Sequence, residues 1–196
     1  MRYAKGHKDS SHERILKVAA RKFRRQGIAA TGMTGIMSEA GLTNGGFYSH
    51  FGSKSDLVRK GLERALDEQL RKLSETDVVP GELSTLIRSY LSAEHRDRPD
   101  VGCASAALLP EIGRQPRSVR KAYTARLREI IEQLKRRLPR KTSNRAAQEA
   151  AIGIFAVLVG SLQLARAAED SSMSDAILAA GIRAAIALAL LPQQER

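Results

Sequence analysis

The sequence Ala40-Gly41-Leu42-Thr43-Asn44-Gly45-Gly46-Phe47-Tyr48-Ser49-His50-Phe51-Gly52-Ser53-Lys54-Ser55-Asp56-Leu57 holds a helix stop and two helix starts. Gly41 is a natural C-terminal stop for the short helical pattern Thr34–Ala40. Thr43 suits the cap of a second one, Thr43–Phe51, so the spacing predicts helix, tight turn, helix. In the second helix Phe47 and Phe51 stand four apart and share a face, while Asn44 and Tyr48 form one neighbouring pair and Gly45 and Ser49 another. Turning the phenylalanines inward leaves Asn44, Gly45 and Tyr48 outward. Ser53-Lys54-Ser55-Asp56 has capping-box spacing and opens a longer helix to about Ser74, with Leu57, Val58, Leu62, Ala65, Leu66 and Leu73 on its stripe.

Outward from this stretch the same i, i+3, i+4 spacing recurs, and no sustained alternation marks a strand. A first helix opens at the capping box Ser10-Ser11-His12-Glu13 and ends near Gly27, with Ile15, Leu16, Ala19, Ala20 and Phe23 inward. Further helices are expected over Glu82–His95, Ser105–Gly113, Arg117–Leu138, Asn144–Ala168 and Ser174–Leu190. The fold class is therefore all-α, with about nine helices. Three regions are expected: a flexible basic arm (1–9), a three-helix head (10–56), and a helical bundle (57–196).

Charge narrows the function. The 196 residues include 33 Lys and Arg against 21 Asp and Glu, a formal net charge of +12. Residues 1–60 carry 12 basic and 4 acidic side chains, and residues 114–141 carry 11 and 2. A basic N-terminal third is the footprint of a phosphate-binding protein, because Lys and Arg near phosphates release condensed counterions. An anionic membrane surface would accept the same charge. The second basic block reads as the solvated face of Arg117–Leu138.

In that setting the second short helix has the parts needed to lie in a major groove. Asn44 can pair bidentately with adenine. Thr43, Tyr48, His50 and Lys54 suit phosphate oxygens, and Lys54 stands beside a helix N-terminus, itself an anion site. Arg2, Lys5 and Lys8 of the arm either reach along the backbone or into a minor groove, or stay disordered without DNA.

Ile36 and the run from Ala40 to Leu57, above all the Phe-Tyr-x-His-Phe-x-Ser-Lys core at Phe47–Lys54, resemble the DNA-binding signature of TetR/AcrR-type (tetracycline-repressor-like) helix-turn-helix regulators. The close match covers roughly residues 10–60. Two positions depart from the family pattern: Gly32 stands where a second threonine is frequent, and Met37 where a small residue is. The cap and phosphate contact there fall to Thr31 or Thr34, of which Thr34 joins Thr43, Asn44, Gly45, Tyr48, His50 and Lys54 as a candidate DNA-binding residue. The resemblance implies a homodimer on a palindromic operator, released or recruited by a small-molecule effector, with repression the family's usual outcome.

The last two helices are the most apolar, and their frequent Ala and Gly permit close helix approach, so self-association through them is expected. The charge-free stretch Ala150–Ala165 is short of the roughly 20 residues that span a bilayer, and a buried helix is expected instead. Tyr90, Cys103, Glu111, Tyr123 and Phe155 are candidates for lining an effector pocket. The lone Cys103 and the scattered His7, His12, His50 and His95 form no metal or catalytic motif, so no cofactor, metal or enzyme activity is expected. The polar, basic start lacks a secretory h-region, which points to the cytoplasm. A charge-driven, sequence-blind nucleic-acid or membrane-surface protein is the alternative.

Overall fold

The computed structural model describes residues 5–75, 82–138 and 143–190. Among the described residues nine α-helices follow one another: α1 (Lys5–Gln26), α2 (Met33–Glu39), α3 (Lys54–Glu75), α4 (Glu82–Tyr90), α5 (Ala93–Asp97), α6 (Ala104–Gly113), α7 (Arg117–Lys135), α8 (Asn144–Ala167) and α9 (Ser171–Leu190). A 3-10 helix, Asn44–Ser49, lies between α2 and α3, and a 3-10 turn, Pro99–Val101, precedes α6. The described residues contain no strand.

Three local expectations need correction. α1 begins at Lys5 rather than Ser10. Ser11 is buried and takes a hydrogen bond from the Arg14 guanidinium at 3.3 Å, so the serines lie inside the helix instead of capping it. Residues 5–9 of the expected arm are thus helical, and Arg2 lies outside the described residues. The expected helix Glu82–His95 is two helices. Ser92 caps α5 by accepting the His95 N–H at 3.2 Å, while His95 Nδ1 donates to the Tyr90 carbonyl at 2.7 Å. A serine with a local partner competes with helix continuation. The segment expected as a helix over Thr43–Phe51 is a 3-10 helix, Asn44–Ser49.

The described helices group into two compact units, one of residues up to Gln69 with Asp100–Arg126, the other of Leu70–Pro99 with the chain from Leu127 onward. In the first, Ile15, Ala19, Ala20 and Phe23 of α1 meet the inward residues of α2 and α3, and Phe23, Ile36, Phe51, Leu57, Leu62 and Leu66 are almost wholly buried. Gly61 permits the approach of α1 to α3: a Cβ there would lie 2.9 Å from the Phe23 ring. Lys22–Glu39 (2.9 Å) and Arg64–Glu13 tie α1 to α2 and to α3.

In the second unit α8 packs along α9. Gly181 brings α9 so near that a Cβ would collide with Ser161 Oγ and lie 2.9 Å from Leu91 Cδ1. Ser174 donates to the Ala165 carbonyl at 2.7 Å. Arg166 donates to the carbonyls of His95 (2.7 Å) and Arg96 (3.0 Å), and Arg96 in turn reaches Ser174 and Asp175. Orphan carbonyls at a helix end need such donors.

Candidate nucleic-acid interface

The tight turn is built by Gly41, whose φ of +71° is left-handed backbone that a glycine adopts without strain. Its N–H bonds to the Ser38 carbonyl at 3.0 Å and the Leu42 N–H to Met37 at 2.9 Å, closing the end of α2. The chain then enters Asn44–Ser49 through Thr43 in extended backbone, whose side chain makes no cap hydrogen bond. The segment winds as a 3-10 helix, where a helix from Thr43 to Phe51 was expected. Two consecutive glycines, Gly45 and Gly46, weaken helix propensity by roughly 1 kcal/mol each relative to alanine, which leaves the tighter winding competitive.

The facing nevertheless follows the expected pattern. Phe47 and Phe51 are buried, with ring centroids 5.6 Å apart, and Tyr48 stands edge-on to Phe47 with 74% of its surface exposed. Thr43, Asn44, Gly45 and Ser49 are exposed. Asn44 Nδ2 donates to Thr34 Oγ1 at 3.2 Å, so two of the candidate DNA contacts from different helices sit together. Ser49 donates back to Gly46 at 2.7 Å and is held within its own turn. His50 is half-buried, its ring 6.0 Å from that of His12, which stacks on Phe51 at 4.7 Å.

Thr31 and Thr34 are told apart by what they touch. Thr31 is buried and donates to the Gly27 carbonyl at 2.6 Å, closing the loop after α1, whereas Thr34 is exposed on α2. Met37 is fully buried, and its methyl lies 3.8 Å from where a Gly46 Cβ would stand.

Behind the interface, α3 opens as the sequence predicts: the Asp56 N–H donates to Ser53 Oγ at 3.1 Å and the Asp56 carboxylate accepts the Gly52 N–H at 3.4 Å. Burial pushes the Asp56 carboxyl up, but the Lys60 and Arg59 partners and the Gly52 N–H outweigh it, so its pKa lies below the ordinary carboxylate value. Lys54 is the first residue of α3 and is exposed.

The head is anchored by residues that sequence reading missed. Arg24, with 2% of its side chain exposed, donates to the Asp100 carbonyl at 2.8 Å and to Glu68 at 3.1 Å. Arg21 pairs with the Asp100 carboxylate at 2.8 Å. The signal for Arg24 was available, since it follows Phe23 directly and stands four residues after Ala20, on the edge of the apolar stripe. Glu111 of α6 accepts the Ala29 N–H at 2.8 Å, and Gly27 (φ +86°) leaves the space its carboxylate needs.

Of the five residues expected at an effector pocket, Cys103, Glu111 and Tyr123 fall in the first unit and Tyr90 and Phe155 in the second. Cys103 is buried ahead of α6, and Tyr123 shares a buried hydrogen bond of 3.1 Å with Ser105. Burial raises the Tyr123 hydroxyl pKa above its ordinary value, against the lowering effect of Ser105. Tyr90 stands edge-on to His95 at 4.6 Å, and Phe155 is buried on α8. Among the described residues no three His, Cys, Asp or Glu side chains are placed to hold a metal ion.

Two short helices joined by a glycine turn, with one polar face exposed over an aromatic core, define a helix-turn-helix head within an all-helical protein. Residues 15–60 match the family described as bacterial regulatory proteins, tetR family. Over those residues the chain is similar to TetR-type helix-turn-helix proteins. It is 39% identical over 72 residues to the uncharacterized HTH-type transcriptional regulator YfiR of Bacillus subtilis, a match covering 37% of this chain and 35% of that protein. It is 32% identical over 92 residues to the HTH-type transcriptional repressor KstR2 of Mycolicibacterium smegmatis, covering 44% and 45%. The chain thus spans less than half the length of these curated relatives. A TetR-family transcriptional regulator from Agrobacterium tumefaciens has the same fold, with a TM-score of 0.73 and 24% identity over 90% of this chain and 97% of that one.

Proposed function

We propose that this protein is a sequence-specific DNA-binding transcriptional regulator, a ligand-responsive repressor that binds a palindromic operator as a homodimer. The observation that carries the reading is the polar face of Asn44–Ser49: Tyr48 three-quarters exposed, Thr43 free of a capping role, and Asn44 held at Thr34, all seated on buried Phe47 and Phe51. Asn44 and Gly45 present the base-reading surface, while Thr34, Thr43, Tyr48, His50 and Lys54 meet phosphates. The relatives' names, one of them a repressor, point the same way. A cytoplasmic location accords with this role, and the reading assigns no catalytic step to the chain.

The second copy docks on α8 and α9. Ile152, Leu164 and Met173 are half exposed or more, amid exposed Ala156, Ala176, Ala179, Ala180, Ala184 and Ala187. By length and composition both helices could cross a membrane, each holding an 18-residue stretch of mean hydropathy 1.7. Arg183, exposed midway along α9, is expensive in hydrocarbon and tolerable at the rim of a protein interface. A two-fold dimer offers one reading helix to each half-site, suited to successive major grooves when the two are about 34–36 Å apart. An effector bound within residues 57–196 shifts that spacing only by favouring the conformation that does not fit DNA.

Selection from random duplex DNA at near-physiological salt tests the reading. Wild type enriches an inverted repeat, and Asn44→Ala and Tyr48→Ala lose it. Equal retention of all sequences by wild type and variants would refute it in favour of charge-driven binding.

A further inference from the structure

Residues 112–128 carry six cations, Arg114, Arg117, Arg120, Lys121, Arg126 and Arg128, and no acid. Arg126 pairs with Asp67 at 2.6 Å. Arg114, Arg117, Arg120 and Lys121 are exposed, and no ion pair forms on them among the described residues. Val119 and Tyr123, both buried, fix the inner face of α7 and with it the outward direction of Arg117, Arg120 and Lys121.

The arrangement is unfavourable for the isolated chain. On α7, Arg117 and Arg120, and Arg117 and Lys121, stand three and four residues apart, and like charges at those spacings destabilise a helix. Arg117 opens α7 and no acid stands in its first turn, so Arg117 and Arg120 crowd the positive end of the helix dipole. The acid nearest in sequence on the α6 side, Glu111, is engaged with Ala29.

We infer that the corner between α6 and α7 is an auxiliary DNA surface: Arg114, Arg117, Arg120 and Lys121 bind the phosphate backbone of duplex flanking the sequence read by Asn44–Ser49. The inference rests on the DNA-binding reading above and extends it. Its place is set by Glu111, whose carboxylate holds Ala29 of the head while its carbonyl accepts the Arg114 N–H at 3.1 Å, so the cationic corner starts one turn from the head's loop. Three of the four cations are arginines, whose planar fork matches phosphate oxygens. Duplex DNA supplies a negative charge about every 1.7 Å along its axis, dense enough to meet all four.

The test uses the full chain and two duplexes carrying the selected inverted repeat, one trimmed to the repeat and one extended by about 10 base pairs, one helical turn, on each side. Affinity is titrated against salt for wild type, for Arg117→Gln/Arg120→Gln/Lys121→Gln, and for the control Arg145→Gln, whose partner is Glu149 at 3.0 Å. On the extended duplex the triple variant shows a log–log salt slope shallower by about 0.9 for each phosphate left unneutralised, about 3 per protomer, while the control matches wild type. On the trimmed duplex all three coincide. The triple variant selects the same repeat and melts no lower than wild type, since it removes a repulsion. Coincident slopes on the extended duplex overturn the inference, as does a triple variant that loses only binding to phosphatidylserine vesicles. If wild type selects no repeat at all, the regulator reading itself fails and takes this one with it.

Discussion

Gly27 and Glu111 are coupled, and the coupling has a size. Gly27 has φ +86°, and a Cβ built on it would lie 2.5 Å from Glu111 Oε1. An alanine at 27 meets two separate penalties. The left-handed backbone costs about 1–2 kcal/mol for a residue with a Cβ. The carboxylate, the far end of a flexible side chain, swings aside with little strain but gives up the Ala29 N–H it holds at 2.8 Å. That bond is solvent-exposed, so water replaces it and its loss is worth about 1 kcal/mol. Gly27→Ala is expected to lower stability by about 2–3 kcal/mol, Glu111→Ala by about 1 kcal/mol, and Gly27→Ala placed in Glu111→Ala by only the backbone penalty of about 1–2 kcal/mol. Urea unfolding of the four proteins measures the cycle, which closes with a coupling of about 1 kcal/mol. Equal effects of Gly27→Ala in both backgrounds would show that the carboxylate does not depend on the missing Cβ, and the account of how α6 holds the head would be wrong.

Three further outcomes are expected. Gly46→Ala, where an added Cβ meets only the Met37 methyl at 3.8 Å, stabilises the helical form of Asn44–Ser49 by about 1 kcal/mol and, on the proposed function, tightens binding to the selected inverted repeat by up to about fivefold in fluorescence titration; unchanged affinity would mean that its ordering is not part of binding. Gly61→Val forces the buried Phe23 ring off α3 and costs about 1–3 kcal/mol in urea unfolding, whereas an unchanged midpoint would show slack between α1 and α3. Burial lowers the His95 pKa below its ordinary 6.5 despite the Tyr90 carbonyl, and Arg166 and Lys72 add to the lowering. The unfolded chain then binds that proton more readily, so the His95 contribution is fully present above about pH 6.5 and fades as the pH falls towards the folded value. His95→Asn keeps a donor for Tyr90 without titrating, and stability measured against pH flattens in that range; an unchanged profile would assign the dependence elsewhere.

The sequence by itself determined that the chain is helical, and most of its helix ends. Gly41 could only end a helix, Ser53 and Asp56 could only begin one, and the four-residue spacing of Phe47 and Phe51 fixed which side of Asn44–Ser49 faces outward. These are local matters of backbone freedom, capping and periodicity, written within a turn or two of each residue. The same locality explains the failures. Ser10-Ser11 has the spacing of a cap, and only the burial of Ser11 shows that it lies within α1. The helical pattern through Glu82–His95 conceals the break at Leu91-Ser92 until His95 is seen to hold the Tyr90 carbonyl.

Tertiary structure alone decided the partnerships between distant residues. Thr31 and Thr34 are equivalent in sequence, and folding turned one inward to Gly27 and the other outward to Asn44. Glu111 reads as one polar group among apolar neighbours, a fair pocket candidate, until its carboxylate is found on Ala29, 82 residues away in the chain. Arg24 reads as one more solvated cation until its guanidinium is found buried between Glu68 and Asp100. A side chain's local pattern states what it can donate or accept, and which group receives it is settled only when packing brings remote backbone within about 3 Å.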